Sequence, residues 1–444
     1  MIYTGILYFK NIYGRSKKKL IYQCIPYKKE LSPVLIPYEI KKYSFEKKIE
    51  PIYILFRYTD EKKENGVIVE TIGSIHKKEN YYLYEYYSLG LKKDSFSSSF
   101  PRDISIKPIP EPNLHQEIIT IDPKGCKDFD DAISFRKEED DITIISIYIS
   151  NVPIFLEENN LWNYITKRYS SIYLPHKVIP MLPPSLSENY CSLKEKENRY
   201  VFTIDFYIKD GKIISELCYP SIISVLKNYE YEEPSLLSNS FYQEIFNITK
   251  QIESIKDSHE FIQFWMIKTN QFLSKKLKEG YKRITEKIDT TIPSFEYKGK
   301  YISIDKEGEH NSLGFYTHIT SPIRRIIDLI NLTYLQKEFF QKESLDICRS
   351  FSIDSINQEM DFIKKVQNRS SWIELLSNKK ITEGKGILFE KKDNNIYSVF
   401  FKDLYLVKKF KSYVSYSIGD ELNFHFFYFP MEGEWSKKIR IEPK

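Results

Sequence analysis

Residues 120–134 read TIDPKGCKDFDDAIS, which sets four carboxylates, Asp122, Asp128, Asp130 and Asp131, around one short turn. Two ionised carboxylates ~4 Å apart repel by about 1 kcal/mol in water and about 4 kcal/mol at a near-surface dielectric, so such a cluster calls for a counter-charge. Pro123 and Gly125 let the chain fold back, so that Asp122 can face the Asp128–Asp131 group and leave a pocket of hard oxygen donors between them. Mg²⁺ suits that pocket, because it accepts a few carboxylates completed by water and substrate phosphate, with Mn²⁺ as a possible substitute. A solvated acidic loop is the plainer alternative. An EF-hand calcium loop is excluded, because its sixth position needs glycine and, counted from Asp128, holds Ile133. The setting favours a site: Ile118–Ile121 and the apolar run ITIISIYI at 142–149 flank the turn as strands of a core.

The chain of 444 residues is long enough for two to four domains. With 41% hydrophobic and 29% charged residues it reads as a soluble globular protein. Net charge is +5, and residues 379–444 hold 13 Lys/Arg against 9 Asp/Glu, so an anionic partner would meet the C-terminal segment first. Aromatics at 15% suit β-rich domains and base stacking, although an AT-rich genome would enrich Tyr and Phe without any function. Cys24, Cys126, Cys191, Cys218 and Cys348 form no CxxC pair, which argues against zinc and against a disulfide framework. No signal-peptide pattern opens the sequence and no apolar run reaches spanning length, so a cytoplasmic protein with no membrane contact is expected.

Residues 1–92 read as short strands, including GVIVETIG at 66–73, that a small barrel would close. The Ser- and Pro-rich stretch 93–117 reads as a linker. Prolines 175, 180, 183 and 184 predict a stiff extended segment that holds Tyr173 toward a cleft. Ser258 is expected to cap a helix whose core stripe includes Phe261, Ile262 and Trp265. In YTHITSPIRRIIDLINLTYL, 316–335, Ser321 and Pro322 predict a helix start whose free amides, with Arg324 and Arg325, form an anion site. A surface arginine pair is the alternative there. A further helix is expected near 353–376, and five short strands from residue 384 suggest a second barrel with a basic excess.

Three stretches, TIDPKGCKDFDDAIS, YLPHKVIPMLPPSLSENYCSL at 173–193 and YTHITSPIRRIIDL, together resemble the ribonuclease II family of hydrolytic exoribonucleases. The resemblance implies an α+β architecture in which a central RNB catalytic domain, 118–378, is flanked by small OB-fold RNA-binding barrels at 1–92 (cold-shock-like) and 379–444. It implies that Asp122, Asp128, Asp130 and Asp131 hold magnesium and the attacking water, with Asp130 the most critical. Arg324 resembles the arginine that grips the scissile phosphate, and Tyr173 the tyrosine that packs on the terminal nucleotide. Tyr231, in EYEEP, resembles another cleft tyrosine; Ser321 and Arg325 are expected to contact RNA. The implied activity is Mg²⁺-dependent removal of nucleoside 5′-monophosphates from the 3′ end of single-stranded RNA, by a monomer with no protein partner. Departures stand beside this: the family's paired glutamates are Gln263 and Phe264, another falls at Gln367 or Asn368, and the histidine and aspartate of one strand are Tyr148 and Asn151. An RNB-like module that binds RNA without cleaving it is the alternative, and a non-enzymatic OB-barrel RNA chaperone a second.

Overall fold

The computed structural model describes residues 1–40, 50–90, 117–165, 168–287, 297–306, 314–378, 380–392, 395–404, 406–430, 432, 435 and 438–444. Apart from Glu117, the expected linker lies outside the described residues. The architecture is α+β, as the family resemblance implies.

At the centre is a six-stranded sheet in the order Lys212–Ser224, Asn198–Lys209, Thr143–Ser150, Asp131–Lys137, Ile119–Asp122, Lys227–Glu230. Neighbours run antiparallel except the last two, which are parallel. Alternation puts Ile145, Ile147 and Ile149, with Phe202, Ile204 and Phe206, on one face, where helices Ser240–Ile252 and Ser258–Lys276 cover them. Each such side chain contributes about 1.5–3 kcal/mol on burial. Trp265 fills the middle of this layer and donates its indole N–H to Thr249 Oγ1 at 3.0 Å. Ile119 pairs with Ile133. The acidic turn therefore sits where two neighbouring strands of the rigid sheet exchange.

Two antiparallel sheets flank this layer. In the N-terminal one, Tyr3–Tyr8 pairs with Lys19–Pro26 and Ile52–Tyr58; Lys19–Pro26 also pairs with Val34–Tyr38, and Ile52–Tyr58 with Gly66–Ser74. A bridge from Leu35 to Asn65 brings the two outer strands together into a nearly closed barrel. The C-terminal sheet repeats this connectivity with Glu383–Lys392, Ile396–Phe401, Leu406–Lys411, Glu421–Tyr428 and Ile439–Pro443. Both follow an OB-like five-strand Greek-key order, the N-terminal sheet with a sixth short strand, Gly14–Ser16, beside Lys19–Pro26.

Helices Lys78–Ser88 and Ile353–Ser377 join the parts. Tyr82, Trp372, Phe401 and Phe426 belong to one core, with the Trp372 ring edge-on to Phe426 at 4.8 Å. Glu374 accepts from Lys78 Nζ at 2.8 Å and from the Tyr82 hydroxyl at 3.1 Å.

Four local expectations are corrected. Residues 78–88, which lie in the 1–92 stretch expected to be all short strands, form a helix, because their tyrosines bury against the long helix and the barrel. Asp257 rather than Ser258 caps the 258–276 helix, accepting from Glu260 N–H. The proline-rich segment is only partly extended: Ile172–Leu174 and Lys177–Ile179 form a hairpin, whereas Leu186–Tyr190, beyond the last proline, is a helical turn. The helix expected from Ser321 begins at Ile326. Arg325 is extended because residues 169–171 pair with it: Ser171 N–H donates to Arg324 O and Ile326 N–H to Tyr169 O, both at 2.9 Å.

Candidate active site

Asp122 ends one central strand and Asp131 begins the next. Between them Gly125 takes a φ of +76°, open to glycine at little cost, and donates its N–H to Glu230 at 3.2 Å. The second motif clamps this loop. Ser192 Oγ donates to Lys127 O at 2.7 Å and accepts from Phe129 N–H at 3.1 Å, and Leu193 N–H donates to Phe129 O at 3.0 Å. Arg199, buried, donates to Ser192 O and Asn189 O and so holds the clamp itself.

Asp130 is buried and fully engaged: Oδ1 accepts from Ile323 N–H at 2.8 Å and Oδ2 from Arg324 Nε at 3.0 Å. The anion that the turn before the helix receives is therefore Asp130 itself. Ser321 is buried too; its N–H donates to Asp328 at 2.8 Å and its hydroxyl accepts from Arg324 Nη2 at 2.9 Å. The expectation that Ser321 caps a helix is thus corrected: its hydroxyl orients Arg324. Arg325 pairs with Asp328 at 2.8 Å.

Tyr173 is partly exposed and donates its phenolic proton to Asp128 Oδ2 at 2.7 Å, while its N–H donates to Gln367 at 3.0 Å. Tyr231 continues the strand beside Asp122, donating its N–H to Asp122 O at 3.0 Å, and its ring stacks on His259 with centroids 3.7 Å apart. Cys126, which sequence reasoning left without a role, places its thiol 3.5 Å from Asp128 and 3.8 Å from Asp122. In the sequence Gln367 stands out only as a position where the resemblance would place a glutamate.

Burial first, and then neighbouring Asp131, hold the Asp122 carboxyl well above the usual carboxylate range. Burial pushes Asp130 up to about 8 against the pull of Arg324, and Asp131 up to about 6 against Arg324 and Arg325. Asp122 Oδ2 is buried with no hydrogen-bond partner. An orphaned carboxylate oxygen among destabilised neighbours fits a hard divalent cation. Among the described residues, however, no three His, Cys, Asp or Glu side chains already converge as a cage. Mg²⁺ asks for less than a cage, one or two carboxylates with the remaining positions left to water and phosphate.

A cavity of about 1560 Å³ leads to this site between the N-terminal barrel, the Ile353–Ser377 helix and the C-terminal barrel. Tyr173, Arg324 and Arg325 line it, each hydrogen-bonded to an aspartate, Asp128, Asp130 and Asp328 respectively. Lys28, Lys364, Arg369 and Lys408 line it, with the rings of Tyr53 and Trp372.

The departures behave differently from one another. Phe264 is buried in the helix layer, whereas Gln263 is exposed. Tyr148 shares a hydrogen bond with Ser134 at 2.8 Å, and Asn151 donates to Gln336 at 2.9 Å, so both replacements are satisfied in the interior.

Within this fold, residues 113–253 match the family model of the RNB domain. The resemblance to the ribonuclease II family therefore stands. Among individual proteins the chain is similar to Ribonuclease R of Ureaplasma parvum, 30% identical over 271 residues that make up 59% of this chain and 33% of that protein. Ribonuclease R of Helicobacter pylori is 28% identical over 385 residues, 63% of this chain and 58% of that protein. The chain thus spans between a third and three fifths of the length of these two relatives. In fold it matches the apo form of Mycoplasma genitalium RNase R with a TM-score of 0.69 at 17% identity, covering 100% of this chain and 90% of the other. Yeast Ssd1, described as a pseudonuclease, matches with a TM-score of 0.64 at 15% identity over 92% of this chain and 65% of that one.

Proposed function

We propose that this chain is a hydrolytic exoribonuclease that shortens single-stranded RNA from its 3′ end to nucleoside 5′-monophosphates, acting as a cytoplasmic monomer with Mg²⁺. The observation that carries this reading is the cavity lined by Tyr173 and Arg324, each hydrogen-bonded to an aspartate of the acidic turn. Its volume exceeds the roughly 300–1,000 Å³ of small-molecule pockets, and its lysines suit a phosphate backbone.

Asp122, Asp128, Asp130 and Asp131 would hold the magnesium, which when bound supplies Lewis acidity and lowers the pKa of coordinated water. Arg324 presents its guanidinium in the cavity lining, fixed by Asp130 and Ser321, so that a scissile phosphate meets a charge already oriented. Tyr173 packs against the terminal nucleotide, its backbone held by Gln367. Tyr231, buttressed by His259, walls the side of Asp122.

A second reading, an RNB-like protein that binds RNA without cleaving it, draws on Phe264 in the core, the exposed Gln263 and the absence of a ready cage among the described residues. Labelled single-stranded RNA incubated with Mg²⁺ or with EDTA separates the two. Mononucleotides that appear only with Mg²⁺ support the exonuclease. Bound but intact RNA in both, with Mn²⁺ also inactive, supports the second reading.

A further inference from the structure

Arg283 has no role in the site as described so far. It lies on strand Tyr281–Lys287, opposite Tyr301 of Tyr297–Ser303, and its N–H donates to Tyr316 O at 2.9 Å. Its guanidinium lies over the Tyr301 ring, 5.2 Å from the centroid. That path crosses Gly299, where a Cβ would collide with Nη2 of Arg283. Glycine at this position is therefore what lets the guanidinium lie where it does.

Arg283, Arg324 and Arg325 all line the cavity. Arg324 is balanced by Asp130 and Arg325 by Asp328, whereas no carboxylate among the described residues pairs with Arg283. Arg325 gives Nη2 to Asp328 and leaves Nε buried with no partner. Behind them His318 touches the Tyr301 hydroxyl through Nδ1. Burial, and then Arg325, Arg283 and Arg324, hold this imidazole well below the usual histidine range, so it stays neutral and does not add a further charge. Among the described residues, one cation with no carboxylate and one buried donor with no partner thus lie in the same lining as the arginine that faces the scissile position. A guanidinium without a carboxylate is suited to bidentate hydrogen bonding with phosphate.

We propose that Arg283, together with Nε of Arg325, binds a second backbone phosphate of the RNA strand, next to the one that Arg324 faces. This rests on the exoribonuclease reading and deepens it: the strand is held at two phosphates before the bond breaks, which fixes its register.

Binding of short single-stranded RNA to the full chain is measured by fluorescence anisotropy in EDTA, with one neutral methylphosphonate linkage moved stepwise from the 3′ end. Arg283→Gln weakens binding of unmodified RNA about tenfold and lowers the salt slope by about one unit. One linkage, different from the one coupled to Arg324→Gln, costs the wild-type protein a similar factor and costs Arg283→Gln nothing further. Gly299→Ala, which displaces the guanidinium without removing it, reproduces the loss, and Arg283→Lys restores part of it. Equal losses in wild type and Arg283→Gln at every linkage, or coupling at the Arg324 linkage only, overturn the proposal while RNA binding stands. If unmodified RNA fails to bind the wild-type chain, the RNA reading and this subsite fall together.

Discussion

Tyr173 donates its hydroxyl to Oδ2 of Asp128 at 2.7 Å, although 45 residues separate them. The residue expected to pack on the end of an RNA strand is therefore also tied to the aspartate turn. Tyr173→Phe keeps the ring and removes this bond, a side-chain hydrogen bond worth roughly 0.5–1.5 kcal/mol. The expected outcome is RNA affinity within about twofold of wild type and a kcat reduced by about tenfold, because Asp128 loses its orientation. Tyr173→Ala should in addition raise KM. Single-turnover and steady-state cleavage assays distinguish the two.

Asp130→Asn preserves an acceptor for Ile323 N–H and abolishes the charge beside Arg324. Cleavage should fall by more than about a hundredfold, while RNA binding stays the same or tightens because Arg324 gains a free charge for phosphate. A denaturing gel reads the first effect and anisotropy the second. Retained turnover in the purified variant would remove the metal assignment.

The raised carboxyls give the metal-free protein a defined pH dependence. A folded-state pKa above the unfolded value means that the stability contribution is fully present below the unfolded pKa near 4 and is lost as pH rises through the folded one. With Asp131 at about 6 and Asp130 at about 8, the melting temperature in EDTA should fall as pH rises from about 4 to about 8. Mg²⁺ should flatten this slope and release protons on binding, measured by thermal melts at several pH values and by calorimetry in two buffers of different ionisation enthalpy.

Trp372 is buried where the Lys78–Ser88 helix, the Ile353–Ser377 helix and the C-terminal barrel share one core. Trp372→Ala should destabilise the fold by about 3–5 kcal/mol. Because that core spans both ends of the chain, unfolding should remain a single transition at lower denaturant rather than split into two. For the same reason, removal of residues 384–444 should give an aggregating protein and not a trimmed enzyme.

What the sequence determined by itself was local. The four aspartates lie within ten positions, and the turn chemistry of Pro123 and Gly125 with apolar flanks announces a site between strands. Tyr173, Arg324 and the stripes of the long helices are likewise short-range patterns, legible because periodicity and turn residues act over a few positions. The strand-rich ends gave barrels for the same reason, but the helix at 78–88 was hidden, since its tyrosines favour strands until a neighbouring helix gives them something to bury against. Tertiary structure alone decided the partnerships: Asp130 with Arg324 across 194 positions, Tyr173 with Gln367 across 194 as well, and Arg283 carried over Gly299 to the same wall. It also decided where the 326–335 helix begins, because pairing of Arg325 with Ser170 overrides the capping signal at Ser321. Such contacts depend on which strands become neighbours, and no local spacing encodes that.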